Sequence, residues 1–173
     1  MNFELFNTVS SRTVKAARFD IIEDKLKVED RDAVYSYVKI KPGVCVITET
    51  EKGFVLLREY RYPIKQWSYE FAAGIIDRGE TPEQAAAREV REETGFIADK
   101  LTSLGEFYPS FGATDEVIHL FHAYCSRHEK EEQEPTEFIT YEIKSRREIE
   151  ELIKNGEFKH GAGMAAWLRF LLK

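Results

Sequence analysis

The segment from Gly74 to Phe96 constrains the fold of this chain more than any other. It reads GIIDRGETPEQAAAREVREETGF, a turn-forming half followed by a helix-forming half. Thr81 is a favourable N-cap followed by a proline at the first helical position, and Gln84 completes a capping box. Gly95 is placed to adopt the left-handed conformation that ends many helices. The sequence therefore predicts a helix over Pro82 to Thr94.

Three glutamates near the end of this helix indicate a metal site. Glu89, Glu92 and Glu93 are spaced i, i+3 and i+4, so they share one face. Like charges at that spacing, at the negative end of the helix dipole, destabilise the helix. A divalent cation would reverse this cost, and hard oxygen ligands indicate Mg²⁺, with Mn²⁺ as the alternative. The other interpretation is a solvated acidic face in which Arg88 pairs with Glu92.

The whole segment follows the pattern G-x5-E-x7-R-E-U-x-E-E-x-G-U, where U is a bulky apolar residue. This pattern resembles the signature of the Nudix hydrolases, although the family more often has an aliphatic residue where this chain has Phe96. The resemblance implies an α/β (α+β) fold, an α/β/α sandwich with a mixed sheet. It also implies that Glu89 and Glu93 ligate the metal, with help from Glu92 and from the carbonyl of Ala73.

The resemblance assigns supporting roles to three residues of the same segment. Gly74, Glu80 and Arg88 are expected to brace the loop before the helix. Gly74 is expected to permit a backbone turn that other residues resist. Glu92 has two open roles, pairing with Arg88 or binding a second ion.

Residues outside the segment resemble the branch of ADP-ribose pyrophosphatases and nucleoside diphosphate sugar hydrolases. Arg61 stands in a sequence similar to Y-R-x-P and is a candidate phosphate contact, since a guanidinium matches phosphate geometry; a surface ion pair is the alternative. Glu70 matches the first residue of E-x-P-A-G, without the proline, and is a candidate ligand of the ribose or of an ion. Phe111 replaces the proline of S-P-G and either stacks on a base or packs the loop. Glu116 keeps the acidic position that follows.

The acidic run EKEEQEPTE, residues 129–137, has two interpretations. As a bare charge run it is a solvated loop. In related enzymes a glutamate on this segment positions or deprotonates the attacking water. Glu137 is the first candidate for that role, with Glu134 and Glu132 as rivals, and Glu93 is the catalytic candidate on the helix.

Composition limits the classes of function. A net charge of −6 over 173 residues argues against nonspecific nucleic-acid binding. No apolar run approaches the length of a membrane span, and the first residues lack the apolar core of a signal peptide. Cys45 and Cys125 lie in apolar, strand-like runs, which indicates buried free thiols in a reducing cytoplasm.

The rest of the chain predicts an N-terminal arm (1–41) and a main domain (42–173). In the arm, Ala17–Ile22 and Ala33–Ile40 are strand-like, with a charged turn over roughly Glu23–Asp32 around a short middle strand. So few strands need cover. The resemblance implies a homodimer through this arm; packing on its own domain is the alternative.

The main domain should begin with a hairpin, Val44–Thr48 with Phe54–Tyr60. It should end with two helices. The first starts at a capping box of Ser145 and Glu148, and the second, Met164–Leu172, is predicted to pack in the core.

Together these features predict Mg²⁺-dependent hydrolysis of the pyrophosphate bond in a nucleoside diphosphate sugar. By resemblance, ADP-ribose is the first substrate, giving AMP and ribose 5-phosphate. GDP-mannose, other nucleotide sugars and nucleoside triphosphates are the alternatives. A different class also stays open, a nucleotide-binding sensor that cleaves nothing, but such relatives usually lose the glutamates that this chain retains.

Overall fold

The computed structural model describes residues 5–129 and 139–173, and within them the chain divides into two compact units. One unit takes the residues up to Lys41 together with Ser110–Glu116, and the other takes Pro42–Pro109 and Val117–Lys173. The elements are, in chain order, β1 (Asn7–Lys15), β2 (Asp20–Val28), β3 (Arg31–Lys39), β4 (Gly43–Thr50), β5 (Gly53–Arg61), β6 (Gln66–Glu70), β7 (Ala72–Ile75), α1 (Pro82–Thr94), β8 (Phe96–Phe107), β9 (Ile118–His128), β10 (Ile139–Lys144), α2 (Arg146–Lys154) and α3 (Gly161–Leu171).

The first unit is an antiparallel sheet in the order β1-β2-β3. Residues of the loop Ser110–Glu116 attach to β3 and to the residue that follows it. The Val38 amide donates to the Ala113 carbonyl at 2.9 Å, and the Ile40 amide donates to the Asp115 carboxylate at 2.8 Å. The Tyr35 hydroxyl donates to the carbonyl of Gly112, also at 2.8 Å.

The second unit is built on a mixed sheet with the strand order β10-β5-β4-β9-β8. Two short strands extend it: β6 pairs with β5, and β7 pairs with β4. β4 and β9 run parallel, with Gly43 opposite Ile118, and every other pairing in the described part of this sheet is antiparallel. This unit therefore contains the mixed sheet that the sequence predicts.

Helices cover both faces of this sheet. Successive side chains of β4 point to opposite faces, so they pack in different layers. Val44 and Val46 pack with Val90 of α1 on one face. Cys45 and Ile47 pack with residues of α2 and α3 on the other, including the buried Trp167. The predicted α/β/α sandwich, preceded in the chain by a small antiparallel sheet, is confirmed.

The predicted helix over Pro82–Thr94 is confirmed to the residue. The Thr81 hydroxyl accepts from the Gln84 amide at 3.2 Å, and the Gln84 side chain accepts from the Thr81 amide at 2.8 Å. Gly95 ends the helix with a φ of 72°. Both ends of α1 are thus fixed by residues that the sequence marks.

One strand was missed, and two sequence-based expectations were wrong in detail. β1 was not predicted, because its sequence is mostly polar and shows no regular apolar alternation. All nine of its residues are exposed. The charged turn is much shorter than Glu23–Asp32, since β2 continues to Val28. On α3, Trp167 is buried as expected, but Met164 and Leu168 are exposed rather than in the core.

Candidate active site

Two carboxylates of α1 are buried against β7. Glu89 is 8% exposed and Glu93 is 4% exposed. The Ala73 amide donates to Glu93 Oε2 at 3.0 Å. Burying carboxylates is costly unless hydrogen bonds and opposite charge compensate, so these two side chains need donors or positive charge close by.

Gly74 gives the Glu89 carboxylate its place. A Cβ built on Gly74 would overlap Oε1, Cδ and Oε2 of Glu89. The φ of Gly74 is not positive. The predicted reason for this glycine, a special backbone turn, is therefore wrong; the glycine is needed because its missing side chain leaves room for a carboxylate.

Arg88 uses all five of its N–H donors within this site. Nε and Nη2 form a fork on Glu80, at 2.9 and 3.0 Å. Nη1 donates to Glu89 at 2.8 Å and to Glu92 at 2.9 Å, and Nη2 also donates to the Ile75 carbonyl at 2.9 Å. One guanidinium therefore joins the loop, the end of β7 and two of the three clustered glutamates.

Glu80 closes the loop between β7 and α1. Its Oε2 accepts from the Asp77 amide, and its own amide donates to the Asp77 carbonyl, both at 3.1 Å. The hydrogen bonds from Arg88 lower the pKa of Glu80, so this carboxylate is charged at neutral pH. The loop is held to the helix by charge-assisted bonds.

Arg61 and the buried Glu70 form an ion pair in the same unit. Arg61 Nε and Nη2 donate to the two oxygens of Glu70 at 2.9 and 2.6 Å, and Nη2 also lies 2.9 Å from Glu59. Glu70 is only 3% exposed. Burial acts to raise the pKa of Glu70, but the bonds from Arg61 and the nearby charges outweigh it and hold that pKa below its ordinary value.

One edge of the Arg61 guanidinium is exposed. Its side chain is 41% exposed. Across residues 5–129 and 139–173, no hydrogen bond to its Nη1 is found. Two carboxylates fix the guanidinium plane, so the direction of the Nη1 edge is also fixed.

His160 lies beside the Arg61–Glu70 pair, although no sequence pattern marks it as a site residue. Its Nε2 lies 3.9 Å from Glu70 Oε2, and its Nδ1 is buried without a partner among the described residues. Burial lowers the pKa of His160, and the charge of Glu70 only partly opposes this. The neutral ring is the favoured form.

The charges of Glu93 and Glu70 both affect the thiol of Cys45. Burial raises the pKa of Cys45, and the negative charges of Glu93 and Glu70 raise it further. Cys45 pairs with Ala73 across the sheet. Cys45 and Cys125 are both buried and free, as predicted.

The remaining candidates belong to the first unit or fall outside the described residues. Phe111 and Glu116 belong to the first unit; Phe111 is 85% exposed, and burial raises the pKa of Glu116. Glu132, Glu134 and Glu137 fall outside the described residues, so their role stays a prediction.

The donors around α1 suit a hard divalent cation. Within the described ranges, no three His, Cys, Asp or Glu side chains are already assembled as a metal cluster. Mg²⁺, however, is commonly held by one or two carboxylates and completes its shell with water and substrate phosphates. The buried oxygens of Glu89 and Glu93 fit that requirement.

The comparison with protein families decides what kind of domain this is. The model of the NUDIX domain matches residues 39–168, most of the chain. The chain belongs to the Nudix family. The glutamates on α1, the loop before it and the Arg61–Glu70 pair all lie within this Nudix domain.

Individual relatives agree with that assignment. The ADP-ribose pyrophosphatase of Bacillus subtilis (strain 168) is 38% identical over 105 residues, covering 59% of this chain and 57% of that enzyme. The ADP compounds hydrolase NudE of Escherichia coli (strain K12) is 26% identical over 75% of this chain and 72% of its own length. The methanol dehydrogenase activator of Bacillus methanolicus is 40% identical over 46% of this chain and 44% of its own. The chain thus spans about half the length of the first of these relatives and of the activator.

A solved structure has the same fold. The crystal structure of an ADP compounds hydrolase superposes with a TM-score of 0.87, covering 99% of this chain and 95% of that one, at 21% identity. At this identity the likeness concerns the fold alone. No helix in the described part of the Nudix protein is long and apolar enough to cross a membrane.

The sequence does not mark two residues that contact the Arg61–Glu70 pair, and the reasons differ. Glu59 precedes Arg61 by two residues on a strand, so the alternation of side chains could have placed them on one face. His160 is far from Glu70 in sequence, and no local pattern links them.

Proposed function

We propose that this Nudix domain hydrolyses the pyrophosphate bond of a nucleoside diphosphate sugar, with ADP-ribose as the first substrate. The products would be AMP and ribose 5-phosphate. The names of two relatives, an ADP-ribose pyrophosphatase and an ADP compounds hydrolase, support an ADP-containing substrate. GDP-mannose, other nucleotide sugars and nucleoside triphosphates are the alternative substrates.

One observation carries this proposal: two buried carboxylates converge on a strand that makes room for them. Glu89 fits against Gly74, and Glu93 accepts from the amide of Ala73. A helix without a ligand gains nothing by burying like charges four residues apart. The arrangement is explained if Glu89 and Glu93 hold Mg²⁺, or Mn²⁺, with Glu92 and the Ala73 carbonyl as further ligands.

When bound, the ion would offset the charge of the diphosphate and activate a water molecule. The chain's own residues do the positioning, which dominates phosphoryl chemistry. Arg88 holds Glu89 and Glu92 in place. Arg61 offers its Nη1 edge to a phosphate, and Glu70 fixes that edge.

The remaining roles come from the family resemblance. Glu70 is also proposed to contact the ribose, and Phe111 and Glu116 to contact the substrate. Glu137, or Glu134, is proposed to orient or deprotonate the attacking water.

The first unit is proposed to form a homodimer. Its sheet exposes apolar side chains on all three strands, including Val9, Val14, Ile21 and Val34. A small sheet needs a covered hydrophobic face for stability, so an apolar partner surface would stabilise it. The two buried free thiols support a reducing compartment such as the cytoplasm.

The test is turnover on ADP-ribose, GDP-mannose, other nucleotide sugars, dinucleotides and nucleoside triphosphates, with Mg²⁺, with Mn²⁺ and with a chelator. Metal-dependent preference for ADP-ribose would support the proposal, and preference for another member would replace the substrate. Binding without product would favour the sensor.

A variant pair tests the ligand assignment in the same assay. Glu93→Gln keeps an oxygen that can accept from the Ala73 amide but removes the charge, so we expect turnover to fall by about 10²-fold or more. Glu83→Gln makes the same change at an exposed position of α1 and should retain full activity. Near-normal turnover of Glu93→Gln with Mg²⁺ would contradict the assignment.

A further inference from the structure

Three rings meet where α1 ends. The rings of Phe96 and His128 lie edge to face, with centroids 4.7 Å apart. Tyr141 lies 5.8 Å from Phe96 and 6.0 Å from His128, measured between centroids. The Tyr141 hydroxyl and His128 Nε2 share a hydrogen bond of 3.1 Å. We call these three residues the ring cluster.

The ring cluster joins β10 to the neighbouring strands β8 and β9, in which Phe96 and His128 are paired. Phe96 begins β8 directly after the helix cap Gly95, His128 ends β9, and Tyr141 lies near the start of β10. β9 and β10 are separated in the sheet by β4 and β5. The rings therefore connect two strands across the face that α1 covers.

The backbone adds a fourth link at the same point. The Glu129 amide donates to the Gly95 carbonyl at 2.7 Å. A Cβ on Gly95 would meet the Glu129 carbonyl oxygen at 2.5 Å and His128 Nε2 at 2.9 Å. The end of α1 is thus packed closely against the end of β9.

The last turn of α1 carries Glu93, so its position decides where that carboxylate lies. The earlier turns are held by Arg88 and Glu80, on the side of the loop. At the C-terminal end of α1, Gly95 has a permissive backbone, so the last turn could rotate unless neighbouring residues prevent it. Contacts of the ring cluster, together with the bond from Glu129 to Gly95, restrict this freedom.

We propose that Phe96, His128 and Tyr141 are positioning residues, which hold the last turn of α1 against β9 and β10 and so keep the Glu93 carboxylate in register with Ala73. This inference rests on the proposed function, because it gives the cluster a part in metal binding and turnover. It adds a second anchor of the carboxylate helix, opposite the Arg88 anchor.

Two conservative substitutions test the proposal. Tyr141→Phe removes only the hydroxyl that meets His128, and Phe96→Leu removes a ring but keeps an apolar side chain. We expect each to lower kcat and to weaken Mn²⁺ binding by roughly 3- to 10-fold, since small misplacements of a ligand have large effects. KM for the nucleotide should change less, because Arg61 and Glu70 are not part of the cluster.

The double variant measures whether the cluster acts as one unit. If it does, Phe96→Leu combined with Tyr141→Phe should cost less than the product of the two single effects. The control is Tyr108→Phe, which removes a phenol hydrogen bond to Glu106 of 3.0 Å elsewhere in the same unit. It should leave kcat and Mn²⁺ affinity unchanged.

Isothermal titration with Mn²⁺ on the folded proteins keeps this test separate from the proposed function. If the wild type turns over no nucleotide but binds Mn²⁺, the proposed function fails, and weaker binding by the variants still supports the inference. Variants that melt earlier but keep the kcat and Mn²⁺ affinity of the wild type would show a purely structural role and overturn it. A wild type that binds no Mn²⁺ would overturn both.

Discussion

Replacing Gly74 with alanine adds one methyl group at the most restrictive point of the site. The added Cβ coincides with the Glu89 carboxylate, and the backbone of Gly74 needs no positive φ. The strand can therefore accept alanine, but the carboxylate cannot stay. An ordinary contact requires Glu89 to withdraw by roughly 1 Å or more.

The size of each effect follows from this displacement. A misplacement of that order costs about 10²-fold in turnover, or about 2.7 kcal/mol of transition-state stabilisation. Stability should change much less. The bond from Arg88 to Glu89 is weakened, at a cost of about 1–2 kcal/mol, while alanine in an extended segment returns about 0.4–1 kcal/mol. We expect the free energy of unfolding to fall by only about 1 kcal/mol.

The assay compares Gly74→Ala with Gly79→Ala by kcat, Mn²⁺ affinity and urea unfolding. Gly79 has a φ of +89° and open space where a Cβ would lie. Its alanine variant should lose about 1–2 kcal/mol of stability through backbone strain but keep full turnover while folded. Full turnover and wild-type Mn²⁺ affinity in Gly74→Ala would refute the argument, since Glu89 could then leave its place without consequence.

Three further outcomes are expected. Arg88→Lys replaces five fixed donors with three from one point, so urea unfolding should show a loss of about 2 kcal/mol, and an unchanged midpoint would contradict the bracing role. Arg61→Lys should raise KM about 10-fold with little effect on kcat, because lysine cannot be held flat by Glu70; an equal fall in kcat and kcat/KM would assign Arg61 to the transition state. The third concerns His160, whose pKa in the folded protein is lowered from the ordinary value of 6.5. As the pH falls below 6.5, the unfolded chain binds a proton at this histidine before the folded protein does. The free energy of unfolding present at pH 7.5 therefore decreases as the pH falls towards the folded pKa. Glu70 and Glu80 have lowered pKa values, so their contributions to stability are lost only below about pH 4.5. His160→Asn should therefore reduce the pH dependence of the free energy of unfolding between pH 6.5 and 5. An unaltered pH dependence in this variant would contradict the argument.

The sequence predicts most accurately where structure is local. Thr81, Gln84 and Gly95 determine both ends of α1 through contacts within four residues, so the helix and its glutamates were found without any knowledge of the sheet. The hairpin of β4 and β5 is equally local. β1 was missed because its stability comes from pairing with β2 rather than from an apolar pattern of its own.

Long-range contacts explain the rest. Glycine is required at position 74 because of the Glu89 carboxylate, fifteen residues later. The pattern identified Gly74 as important, but the reason it predicted, a special backbone turn, was wrong. Glu70 was selected by resemblance, yet the neighbour that shares its burial, His160, comes from the start of α3. Likewise, Phe96 was noted only as an unusual residue in a pattern, and the rings that meet it belong to β9 and β10.

The parallel pairing of β4 with β9 has a consequence for the order in which this domain assembles. In a growing chain, the segment of α1 with its carboxylates is synthesised before Ile118, which must later lie opposite Gly43. Closing such a long connection is slow compared with helix formation. The carboxylates of α1 are therefore encoded early, but the sheet that α1 covers stays incomplete until β9 pairs with β4. Folding and the acquisition of metal affinity should consequently share one rate-limiting step.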